Sequence, residues 1–62
     1  MYQIKIIKSN GDAYGCAVPS LSAVTKLAEL QSIVQIILYG ITPREYNYLR
    51  SLDLPEKIKI SR

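Results

Sequence analysis

The groups that could carry chemistry are few. The chain of 62 residues has five carboxylates, one thiol and no imidazole. Without histidine, the side chain best suited to general acid–base work near neutral pH is missing. Each carboxylate has an ordinary structural place. Asp12 falls in a turn, Glu29 on the wet side of a helix, Glu45 three residues past a helix cap, and Asp53 and Glu56 in a loop. Scattered this way, they do not form the close acid–base pair that hydrolytic sites use. Cys16 has no activating neighbour in sequence and reads as a small buried hydrophobe. A single cysteine excludes an intrachain disulfide, and with no histidine it excludes an ordinary zinc site. Asn10-Gly11-Asp12-Ala13-Tyr14-Gly15 has two glycines, but no helix follows, as a phosphate cradle requires. The expectation is a protein that is not an enzyme and uses no cofactor, metal or small-molecule substrate. Binding through a surface remains, and the elements must show which surface.

Composition places the chain among ordered globular proteins, at 48% apolar and 21% charged residues. Its length allows one domain, residues 1–62. A chain of this size buries only about 60% of its unfolded surface, so the core is thin and association often supplements it. The net charge of +3 is mildly basic and compatible with acidic partners. All five aromatic residues are tyrosines. Their hydroxyls suit rims and interfaces better than deep cores. The N-terminal Ile4-Lys5-Ile6-Ile7-Lys8 is too charged for a signal peptide. The apolar run Ile36 to Tyr39 is far too short to span a bilayer. A soluble, cytoplasmic protein without membrane attachment is expected.

The order of elements reads strand, strand, helix, strand, helix, strand. Tyr2 to Lys8 begins with period-two alternation. Asn10-Gly11 then gives a strong hairpin signal, because both residues tolerate positive φ. Ala13 to Val18 is a weaker return strand whose Gly15 and alanines suit a sheet edge. Ser20 caps a helix with Leu21, Val24, Leu27 and Ala28 on its apolar side. Ile33 to Tyr39 is β-branched and apolar on both faces, the mark of a central strand. Thr42-Pro43-Arg44-Glu45 has the cap, first-turn proline and capping-box glutamate of a helix start. That helix is expected over 43–52, with Tyr46, Leu49 and Leu52 as its apolar stripe. Lys57-Ile58-Lys59-Ile60 alternates as a final strand.

Ile41-Thr42-Pro43-Arg44-Glu45-Tyr46 through Leu49-Arg50-Ser51-Leu52 resembles the opening helix of LuxR-type helix-turn-helix domains. The resemblance covers about a dozen residues and would imply DNA reading. It departs from that pattern where a turn and a recognition helix should follow, because the chain becomes strand-like instead.

Crossover helices advancing in one direction lie on the same side of a sheet. The expected architecture is therefore an α+β or α/β two-layer sandwich, ββαβαβ, with a four-stranded mixed sheet and two helices on one face. The preferred strand order is 2-1-3-4, with parallel neighbours where a helix crosses over. Inward positions are expected at Tyr2, Ile4, Ile6, Cys16, Val18, Val34, Ile36, Leu38, Ile58 and Ile60. The uncovered face would collect Gln3, Lys5, Ile7, Ile33, Gln35, Ile37, Tyr39, Lys57 and Lys59. Apolar residues on such a face mark a binding surface. The candidate surface is Lys5, Ile7, Ile37, Tyr39, Lys57 and Lys59. Its expected occupant is a protein partner or a second copy of the chain, packed sheet to sheet. The alternative is nucleic acid, with Tyr39 stacking a base and lysines near phosphates. A second candidate patch is Arg44 with Tyr48, four residues apart on the second helix. A chain this short that begins at its own Met fits a small accessory, regulatory or inhibitory protein, a kind that mobile genetic elements encode in number.

Overall fold

The computed structural model describes residues 2–61. Six elements follow one another: β1 (Tyr2–Lys8), β2 (Ala13–Val18), α1 (Leu21–Ala28), β3 (Ile33–Tyr39), α2 (Pro43–Arg50) and β4 (Ile58–Ile60). The four strands form one mixed sheet in the order β2-β1-β3-β4. β1 is antiparallel to both β2 and β3, and β3 is parallel to β4. The parallel-neighbour expectation holds for the crossover through α2. The crossover through α1 instead passes over β1, which fills the gap between β2 and β3.

Asn10-Gly11 makes the expected hairpin by a different route. Gly11 alone takes positive φ (93°), while Asn10 keeps an ordinary negative φ. The Gly11 N–H donates to the Lys8 carbonyl at 3.0 Å, and the Lys8 N–H donates to the Asp12 carbonyl at 2.8 Å. This is a three-residue loop with glycine at its left-handed last position. Asn10 contributes through its side chain, whose Oδ1 accepts from the Asp12 N–H at 3.0 Å.

Both helices start as their capping residues dictate. Thr42 Oγ1 accepts from the Glu45 N–H at 3.2 Å and donates to Glu45 Oε1 at 3.2 Å. Ser20 Oγ accepts from the Ala23 N–H at a looser 3.4 Å. α2 ends at Arg50, two residues short of expectation, and the next element is β4. No second helix follows it among the described residues, so the helix-turn-helix resemblance stops at its first element.

The core lies between the sheet and a single helical layer. Ile4, Ile6, Ile36, Leu38 and Ile58 from one face of the sheet join Val24 and Ala28 of α1 and Leu49 of α2 in one buried cluster. Because both helices bury residues against the same sheet face, the opposite face has no helix over it. None of the described helices is long and apolar enough to cross a membrane.

Two inward assignments are corrected. Ile33 is buried at 3% exposure and Val34 is exposed at 46%, the reverse of expectation. Lys8 pairs with Ile33 while Ile7 pairs with Gln35, so Val34 is an extra residue in β3. The bulge flips the alternation at its N-terminal end. Cys16 is exposed rather than buried. It lies opposite Ile4 on an edge strand whose exposure is relieved only at Val18.

Candidate protein-binding face

The open face is built from residues whose neighbours in the core are inward-pointing. Ile4 and Ile6 are buried, so Gln3, Lys5 and Ile7 of β1 turn the other way. The registers then assemble rows across the sheet. The central row is Gly15, Lys5, Ile37 and Lys59. On one side lies the row Ala17, Gln3 and Tyr39, and on the other Ala13, Ile7 and Gln35. Directly opposed residues on one face stand about 4.5–5.5 Å apart at Cβ. Ile37 therefore sits between two lysines, with Ile7 on a diagonal across β1 and Tyr39 two residues further along the same strand.

Lys5 and Lys59 are exposed, whereas Ile7 and Ile37 are half-buried by their neighbours on the face. Tyr39 keeps 39% of its surface exposed. Its hydroxyl crosses β1 and stops 3.5 Å from the point where a Cβ on Gly15 would stand. The apolar centre is smaller than the sequence suggests, because Ile33 belongs to the core. The four strands carry Lys5, Lys8 and Lys59 and no carboxylate. All five acids lie in turns, loops or helices.

Of the six residues expected on this surface, the structure brings Lys5, Ile7, Ile37, Tyr39 and Lys59 together. Lys57 precedes β4, and its ammonium donates to the Leu30 carbonyl at 3.1 Å. That bond ties Lys57 to the loop after α1.

Arg44 and Tyr48 are both exposed on α2, Tyr48 at 60%. The cation–π contact on this helix joins a different pair, Arg50 over the Tyr46 ring at 5.6 Å from its centroid. A shallow groove of about 330 Å³ lies between α2 and β4, walled by Tyr46, Leu49, Arg50, Leu54 and Ile60 among others. No sequence motif marks this groove, because it depends on where the loop 51–57 returns to the sheet. No cluster of three or more His, Cys, Asp or Glu able to hold a metal occurs among the described residues.

Comparison with protein-family models, with curated proteins and with solved structures gave no match.

Proposed function

We propose that the chain is a non-catalytic binding module, an accessory, regulatory or inhibitory protein that works by protein–protein contact through its open sheet face. One observation carries this reading: both helices bury against the same side of the sheet, leaving Ile7, Ile37 and Tyr39 outside, with Ile37 framed by Lys5 and Lys59. An apolar centre with a polar, charged rim is the anatomy of a protein interface. Lysines without carboxylates on the strands support a partner of complementary, acidic chemistry. Its matching surface has an apolar centre flanked by Asp or Glu. A second copy laid face to face would set lysine against lysine, so a different protein fits this face better.

The positive rim and Tyr39 also support a second reading, nucleic-acid binding on the same face. The aliphatic Ile7 and Ile37 at its centre favour the first, because bases stack on aromatic rings rather than on isoleucines.

The test is a paired capture from the native source, with the wild-type chain and the Ile37→Lys variant as baits. An acidic protein held by the wild type and lost from the variant supports the reading. The same proteins on both baits refute it. Mobility shifts at low salt with single-stranded and duplex probes address the second reading. Binding that falls steeply as salt rises would favour nucleic acid.

A further inference from the structure

The two edges of the sheet are built differently. β4 is three residues long with Lys59 at its centre, a short charged edge of the kind that resists further pairing. β2 is six residues long, uncharged and free of proline, with five of its six residues exposed. Its register with β1 runs unbroken from Ala13 to Val18, so no bulge turns the edge away.

The alternation of the ladder shows which backbone groups of β2 are free. The Lys8 N–H donates to the Asp12 carbonyl and the Ser9 N–H to the Ser32 carbonyl, each at 2.8 Å. Even-numbered residues of β1 therefore bond toward β2 and odd-numbered ones toward β3. Across the ladder, Tyr14, Cys16 and Val18 pair with Ile6, Ile4 and Tyr2 and bond inward. Ala13, Gly15 and Ala17 turn their N–H and C=O groups outward from the edge.

We propose that β2 pairs with β2 of a second copy, antiparallel, about a two-fold axis at Gly15, to make one continuous sheet. The outward row is Ala, Gly, Ala, which reads the same from either end. In this register Ala13 meets Ala17 of the second copy, Gly15 meets its own equivalent, and all three pairs are of the hydrogen-bonding kind. The strand carries no charge, so two copies meet without like-charge repulsion. Tyr39 marks the same axis. Its hydroxyl already stands over Gly15, and paired strands approach to about 5.5 Å between opposed Cα atoms at such positions. The two hydroxyls, each both donor and acceptor, come together across the seam. On the helix side, Tyr14 (47% exposed) faces Cys16 of the second copy, and each covers a residue that α1 leaves bare. This edge is separate from the Ile37-centred face, and the proposal does not depend on the function proposed for that face.

The test is solution mass by analytical ultracentrifugation across a concentration series. The wild type is expected at twice its 7.0 kDa chain mass. Ala13→Lys with Ala17→Lys places like charges opposite each other twice and should raise the dissociation constant about tenfold or more. Ala13→Lys with Ala17→Glu places opposite charges there and should restore the dimer. Circular dichroism checks that both variants are folded. Should the first fail to fold, Gly15→Pro replaces it, since it removes an outward N–H and no bond to β1. A monomeric wild type, a dimer that survives the like-charge variant, or a charge-paired variant as weak as the like-charge one overturns the proposal. Dimerisation unchanged by Ile37→Lys distinguishes this edge from the open face.

Discussion

The Tyr39 hydroxyl reaches across β1 to lie 3.5 Å from the missing Cβ of Gly15. A glycine in a strand offers nothing to pack, and an aromatic side chain from a nearby strand makes up the loss. Here the aromatic residue comes from β3, two strands away from β2. The open face therefore has a tyrosine laid over its corner near β2, while its middle holds the half-buried Ile37 between Lys5 and Lys59.

This arrangement predicts coupling between the two positions. Tyr39→Ala should cost about 1 kcal/mol of stability. Gly15→Ala should gain about 0.5–1 kcal/mol, because its Cβ meets only ordinary contacts, the Tyr39 hydroxyl at 3.5 Å and the Ile4 carbonyl at 3.7 Å. A double-mutant cycle in urea should show a smaller cost for Tyr39→Ala when residue 15 is alanine. Strict additivity would mean that the tyrosine does not support the glycine.

The bulge in β3 predicts an asymmetry between adjacent residues. Ile33→Ala should cost about 2–5 kcal/mol, since the side chain is buried at 3% exposure. Val34→Ala should cost well under about 1 kcal/mol, since Val34 is 46% exposed. Thermal unfolding followed by circular dichroism reads both. Equal costs, or the reverse order, would place Val34 inward and remove the bulge.

The two helix caps should rank by their geometry. Thr42→Ala loses a cap bonded at 3.2 Å on both sides of a reciprocal pair and should cost about 1 kcal/mol. Ser20→Ala loses a longer 3.4 Å bond and should cost less. Chemical denaturation of the two variants decides the order.

Ile37→Lys should separate folding from binding. The side chain is half-buried on the uncovered face, outside the core cluster. Stability should fall by no more than about 1 kcal/mol, while affinity for an acidic partner should fall at least about tenfold, as truncation of an interface anchor does. A variant that unfolds would assign Ile37 to the core instead.

Much of this fold is readable in the sequence, because its local signals agree. Thr42-Pro43-Arg44-Glu45 announces a helix start, the alternation of Ile4 and Ile6 sets the inward side of β1, and the helical stripe of Val24 and Ala28 demands a sheet to cover. The strand order β2-β1-β3-β4 follows from the greater apolar content of β1. What the sequence hides are one-residue effects. Ile33 and Val34 are both β-branched, so composition cannot tell which is inward; the register with Lys8 decides it. Cys16 falls on the inward side by parity, yet it lies on an edge strand with five exposed residues, so parity alone does not bury it. On the candidate face, five of the six expected residues come together because period-two alternation is robust. Lys57 departs because a lysine is long enough to choose a carbonyl at a loop, here Leu30. Arg44 and Tyr48 stay exposed on α2, while the cation–π contact of that helix joins Arg50 to Tyr46, also four residues apart.

The proposed binding of a partner protein to the helix-free sheet face can be read residue by residue. The most direct measurement is an NMR titration of the isotope-labelled chain with the acidic protein it captures. Amide shifts should concentrate at Lys5, Ile7, Ile37, Tyr39 and Lys59 and leave the outer faces of α1 and α2 unmoved. Shifts centred on Arg44 and Tyr48 with the Ile37 row unchanged would contradict it.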